Sequence, residues 1–179
     1  SGIPELDALL GGGLTWGSGT TFLGPAGVGK STLAAQYASA AAHSGRKAAV
    51  FLFDERRSTL LARCDALRMR ATEAIESVTL VVQQVEPGET SPGQFSHRVR
   101  DCVEHDGVNF VCIDTLNGYL SAIPSTDVPL VRLHELLSYL NEAHVASVIV
   151  VAQHGIIGAT MPVPLDISYI ADSAVLLRF

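Results

Sequence analysis

Residues 24–31 read GPAGVGKS, and the interpretation of this stretch decides the fold. It satisfies G-x-x-x-x-G-K-[ST]. It lies between a short β-branched run, residues 20–23, and an Ala- and Leu-rich segment of helical character, residues 31–42, which closes at Gly45. A strand, a glycine-rich turn and a helix in that order form a cradle for phosphate. The glycines let backbone N–H groups of Gly27, Val28, Gly29 and Lys30 converge on phosphate oxygens at a helix N-terminus, whose dipole favours negative charge. Lys30 adds a point charge near the β- and γ-phosphates, the Ser31 hydroxyl is a ligand for Mg²⁺, and Thr32 adds a phosphate contact. The alternative for the same residues is a glycine-rich turn of purely structural use.

On either side of this loop, short apolar runs alternate with segments of helical period, the pattern of a parallel sheet covered by helices. The strand candidates are residues 20–23, 48–53, 78–83, 110–113, 145–152 and 174–177. Helices are expected over residues 31–42, over 58–69, with Leu61, Cys64 and Leu67 or Arg68 on one face, and over 128–143, with Val131, Leu136, Leu137 and Leu140 buried. The Gly- and Pro-rich patch at residues 86–93 reads as a connecting loop. No repeat or linker divides the chain, so its 179 residues are expected to form a single domain.

Composition narrows the function classes. With 47% hydrophobic and 17% charged side chains the chain can bury a sizeable core. Its longest late apolar stretch, residues 145–152, is far shorter than the roughly 20 residues of a membrane helix, and the first residues lack a signal-peptide pattern. Three cysteines, Cys64, Cys102 and Cys112, without C-x-x-C spacing speak against a disulfide framework or zinc site, and a reducing cytoplasm is the expected compartment. A formal net charge of −6 argues against a broad nucleic-acid footprint.

Three further strand ends carry polar groups. Residues 108–114, VNFVCID, end in Asp114, which a neighbouring strand would present to the metal beside Ser31; a lone Asp there otherwise forms a turn. Hydrolysis also needs a carboxylate or amide to orient water. Many phosphate-loop enzymes place a Glu directly after the metal-binding Asp, but here that position is Thr115. The acids Asp54 and Glu55, at the end of VFLFDERRS (residues 50–58), are the candidates, because ligands gather at the carboxyl ends of parallel strands. Alternatively Asp54 caps the helix beginning near Ser58, and Glu55, Arg56 and Arg57 form a solvated charge cluster. In VIVVAQHG, residues 148–155, the Gln153 amide is placed to sense the γ-phosphate and relay its presence to the loop at 155–158. His154 beside it is equally well read as a hydrogen-bonded structural histidine.

In order and spacing, SGIPELDALLGGGL, GPAGVGKST, LFDE, VCIDTLNGYL, VAQHGIIG and DISYIADSAVLLRF resemble the KaiC branch of the RecA-like ATPases, the family of the circadian clock protein KaiC, over essentially the whole chain. The resemblance implies an α/β RecA-like P-loop NTPase core, a central mostly parallel sheet flanked by helices, that binds ATP and Mg²⁺. It implies a homo-oligomeric ring, a hexamer open to protein partners, hydrolysing ATP at subunit interfaces. Asp54 and Glu55 match the family's catalytic acidic pair, with Asp in place of the first Glu. Family members also autophosphorylate on adjacent Ser and Thr before the final strand; Ser168 matches the Ser, whereas Tyr169 stands in place of the Thr. The family continues beyond LLRF into a basic segment that reaches the neighbouring subunit's γ-phosphate, so a longer parent chain, or slow catalysis, is expected. Four classes follow: an ATP-hydrolysing ring subunit, an autokinase, a nucleotide-switched scaffold without turnover, and, least supported, a DNA recombinase.

Overall fold

The computed structural model describes residues 1–86, 88, 90–122, 129–153 and 171–179, with only the backbone of Gln153. The chain order is α1 (Pro4–Leu9), β1 (Gly19–Pro25), α2 (Lys30–His43), β2 (Ala48–Leu52), α3 (Arg57–Ala66), α4 (Ala71–Glu76), β3 (Leu80–Gln84), α5 (Pro92–Glu104), β4 (Phe110–Asp114), α6 (Leu116–Ala122), α7 (Pro129–Glu142), β5 (Ala146–Gln153) and β6 (Ser173–Leu176). The strands form one sheet in the order β3-β2-β4-β5-β1-β6, every described pairing parallel. All the expected strands are present, and the α/β RecA-like P-loop reading of the fold holds.

The central strands are buried on both faces, which explains their continuous apolar runs. Alternation along β2 shows how the two layers share it: Ala48, Val50 and Leu52 pack with Ala34, Ala38, Leu60 and Cys64 under α2 and α3. Ala49, Phe51 and Phe53 pack with Phe95, Val99, Tyr119 and Leu136 under α5, α6 and α7. Successive side chains of a strand point to opposite faces, so one five-residue strand closes two cores. Phe51, Phe53, Phe95 and Tyr119 meet in tilted and edge-on contacts with ring centroids 5.3–5.6 Å apart, and fix α5 and α6 against β2.

Four details differ from the expectations. The inner face of α3 is Leu60 and Cys64, while Leu67 lies beyond the helix and is half exposed, because the helix turns its apolar stripe one residue earlier. On α7, Leu133 takes the buried place expected of Val131, which is exposed. Residues 92 and 93 open α5 rather than ending a loop: Ser91 accepts from the Gln94 N–H at 3.2 Å while the Gln94 side chain accepts from the Ser91 N–H at 2.8 Å, a reciprocal cap that overrides the Pro-Gly turn signal. Finally, β4 is not beside β1. Strand β5 lies between them, so Asp114 and the phosphate loop converge across one intervening strand.

Candidate active site

The loop after β1 has the conformation its glycines permit. Gly27 and Gly29 have φ of 82° and 97°, and Gly29 is the N-cap of α2 with no side chain capping the helix. The first amides of α2 therefore lack a side-chain acceptor, the condition under which a helix N-terminus takes an anion. Gly24 is demanded by space: a Cβ there would stand 2.4 Å from the Leu177 carbonyl oxygen, where the chain beyond β6 runs against the loop.

Lys30 is 6% exposed and folds back on this loop, its Nζ donating to the Gly24 carbonyl at 2.8 Å and the Pro25 carbonyl at 2.7 Å. Burial lowers its pKa, and the charge of Asp114 opposes that shift. Next to it, the Ser31 hydroxyl donates to Asp114 Oδ1 at 3.0 Å, so the two candidate metal ligands are in contact. Asp114 is 3% exposed, and burial pushes its pKa up to about 6 despite the Ser31 hydrogen bond. A hydroxyl and a carboxylate are hard oxygen donors, and a buried carboxylate with no ion-pair partner among the described residues is the kind of group a divalent cation satisfies. Such a pair suits Mg²⁺, which takes few protein ligands and completes its shell with phosphate and water. No group of three or more His, Cys, Asp or Glu placed to bind a metal occurs among the described residues.

The two acids after β2 have different surroundings. The Phe53 N–H donates to the Asp114 carbonyl at 2.8 Å, joining the tips of β2 and β4. Asp54 Oδ2 accepts from the Thr115 hydroxyl, whose oxygen in turn accepts from the Gly118 N–H at 3.0 Å. Asp54 Oδ1 accepts no hydrogen bond among the described residues. Glu55 is held by Arg63, with Nη1 to Oε1 at 2.6 Å and Nη2 to Oε2 at 2.7 Å. Neither acid caps α3, whose N-cap is Arg56 without a side-chain hydrogen bond. Ser31, Asp54, Glu55, Arg56, Thr59, Arg63, Asp114 and Thr115 line one open cleft of about 390 Å³.

Strand β5 brings the last element. Its register sets Gln153 opposite Pro25 and Ala152 opposite Gly24, so the backbone of Gln153 lies beside the start of the loop. The Ala152 N–H donates to the Asn117 side chain at 2.9 Å, which ties the tip of β5 to α6. Thr32 lies in the first turn of α2. His154, the 155–158 loop, Ser168 and Tyr169 lie outside the described residues. Sequence reasoning did not single out Arg63 or Asn117 at all, and it noted Thr115 only as a position without a Glu.

Comparison with known proteins adds the relationship. The "DNA repair protein RadA" of Mycolicibacterium smegmatis (strain ATCC 700084 / mc(2)155) is 54% identical over 48 residues, which cover 27% of this chain and 10% of that protein. The protein of the same name from Mycobacterium tuberculosis (strain CDC 1551 / Oshkosh) is 40% identical over 83 residues, 46% of this chain and 17% of its own length. The chain thus matches only a small part of these relatives. A family model described as "ATPase: KaiC" matches residues 1–178. Because that match extends over the phosphate loop, the sheet and both helical layers, the chain belongs to the KaiC ATPase family of RecA-like P-loop proteins.

Proposed function

We propose that this domain binds ATP with Mg²⁺ and hydrolyses the terminal phosphate as a subunit of a homo-oligomeric ring, a hexamer, with sites completed at subunit interfaces. The observation that carries the reading is the convergence of the Ser31–Asp114 pair and the acids Asp54 and Glu55 on one cleft beside an uncapped glycine-rich helix start. In this reading the amides of Gly27, Val28, Gly29 and Lys30 hold phosphate oxygens, and Thr32 adds a contact. Lys30 exchanges its two carbonyl partners for phosphate, and Ser31 and Asp114 hold the metal. When bound, Mg²⁺ supplies charge neutralisation at the transferred phosphoryl group. Asp54 is the better-placed base of the two acids: its Oδ1 accepts no hydrogen bond among the described residues, Thr115 fixes its orientation, and it can accept a hydrogen bond from water and then its proton. Gln153 reads the terminal phosphate from the tip of β5, next to β4 in the sheet. No helix among the described residues is long and apolar enough to cross a membrane, and a cytoplasmic domain fits this reading.

The test is a phosphate-release assay in parallel with binding of a fluorescent ATP analogue and detection of protein-bound label from γ-labelled ATP. Lys30→Ala should abolish analogue binding, whereas Asp54→Asn with Glu55→Gln should leave binding intact and remove turnover. Unaltered phosphate release in that double variant would end the assignment of the acids. Label on the protein that disappears in Ser168→Ala would establish the autokinase instead, and ATP-dependent assembly without release would establish the scaffold. The RadA relatives are named for DNA repair. A role on DNA has less support here, since a net charge of −6 offers no broad basic surface.

A further inference from the structure

We infer that Arg63 is a positioning residue for hydrolysis: by engaging both oxygens of Glu55 it fixes the turn that presents Asp54, and leaves Asp54 as the one acid of the pair open to water. The inference rests on the reading of Asp54 and Glu55 as the acids that serve turnover.

The geometry comes from the helix that follows them. On α3 and its N-cap, Arg56, Thr59 and Arg63 recur at three- and four-residue spacing and all line the cleft, while Leu60 and Cys64 form the adjacent buried stripe. The packing of Leu60 and Cys64 therefore sets the direction in which Arg63 reaches. It reaches back across the turn to Glu55, 8 residues earlier, and makes a two-pronged contact at 2.6 and 2.7 Å. The two side chains are 29% and 21% exposed, so the pair is neither a solvated surface contact nor a fully buried one. Fork-to-fork geometry is the arrangement in which an Arg–carboxylate pair carries directional information as well as charge.

Two consequences follow for the acids. Both oxygens of Glu55 are turned to the guanidinium fork, which takes up the directions from which the side chain would otherwise orient a water. The geometry thereby leaves the orienting of water to Asp54. The same contact pins residue 55 to the seventh residue of α3, so the backbone between the end of β2 and the helix is clamped at both ends. At the other end the Phe53 N–H is bonded to the Asp114 carbonyl. Asp54 lies between these clamps. Arg63 Nε is buried without a partner among the described residues, a cost tolerated where a side chain is held for function.

The test uses the full chain. Arg63→Gln should lower kcat by about ten- to a hundredfold, the range expected when a catalytic group is misplaced by about an ångström. The KM for ATP and the Kd for a fluorescent ATP analogue should move by less than about threefold. Arg63→Lys, which keeps the charge and loses the fork, should behave nearly like Arg63→Gln. Because Arg63 acts through Glu55, the kcat loss in Glu55→Gln/Arg63→Gln should fall well short of the product of the two single losses. In nucleotide-free protein, amide exchange at residues 54–57 should quicken in Arg63→Gln and not in Arg68→Gln. Full kcat in Arg63→Lys, multiplicative losses in the double variant, or unchanged exchange at 54–57 would overturn the inference. A raised KM at constant kcat would overturn it too, by making Arg63 a nucleotide contact. Asp54→Asn separates this from the underlying reading: if it retains turnover, the choice of base is wrong; if it loses turnover while Arg63→Gln keeps it, only the role of Arg63 fails.

Discussion

The Ser31 hydroxyl and the Asp114 carboxylate meet at 3.0 Å, although β5 separates the strand that leads into Ser31's helix from the strand that ends in Asp114. The contact is possible because α2 starts over the carboxyl ends of the central strands, and it leaves Asp114 buried with a hydroxyl as its hydrogen-bond partner.

That burial predicts an inverse relation between stability and binding. The Asp114 pKa rises from 3.8 to about 6 in the folded protein, chiefly through desolvation. In EDTA, without nucleotide, this group therefore costs nothing below pH about 4, where it is protonated folded and unfolded alike. The cost grows as pH rises from about 4 to about 6 and levels off at roughly 3 kcal/mol above that. Asp114→Asn removes the ionisable group, so its melting temperature in EDTA at pH 7.5 should exceed that of the parent, by about 2–4 °C for each kcal/mol relieved. The gain in melting temperature on adding Mg²⁺ and ATP should be lost. Thermal scans at pH 4.5 and 7.5, with and without Mg²⁺ and ATP, check both halves.

Thr115 supplies the second prediction. Its hydroxyl donates to Asp54 and accepts from the Gly118 N–H, so it both aims the acid and caps the start of α6. Thr115→Val keeps the shape and deletes both bonds. Turnover should fall by about tenfold or more with little change in nucleotide affinity, and stability should drop by about 1 kcal/mol. Thr115→Ser should retain most of the activity. Steady-state phosphate release and thermal unfolding of the two variants decide it.

The sequence announced those parts of the fold in which one physical signal dominates. Strands buried on both faces gave unbroken apolar runs, and the loop at residues 24–31 combined glycines, Lys30 and Ser31 in a pattern with few other uses. Helix α1 buries no residue and α4 only Ala71 and Ala74, while α6 spans only seven residues, so these short helices left little periodicity to detect. The start of α5 was legible in the Ser91-to-Gln94 capping spacing but masked by the Pro-Gly pair that precedes Gln94. Within the cleft, Asp54 and Glu55 stood out as charges ending an apolar strand. Their different roles did not, because these depend on Thr115, 61 residues away from Asp54, and on how α3 carries Arg63 back to Glu55.

Gly118 gives the last prediction. It lies in α6, where the helix passes over the tip of β2, and its hydrogen stands where any larger residue would collide. A Cβ at this position would lie 2.5 Å from the Phe53 Cβ and 2.6 Å from Asp54 Oδ1. Neither neighbour yields easily: Phe53 is set in the cluster with Phe95 and Tyr119, and Asp54 is bonded to Thr115. Gly118→Ala would gain helix propensity worth about 1 kcal/mol on an exposed helix, yet the overpacking should cost about 1–3 kcal/mol and reverse the sign. The displacement falls on Asp54 rather than on the phosphate loop. Gly118→Ala should therefore bind a fluorescent ATP analogue about as tightly as the parent while losing about tenfold or more in kcat. Binding and phosphate release measured on the same preparation check this, and a Gly118→Ala variant with full turnover would show that Asp54 does not need its present position.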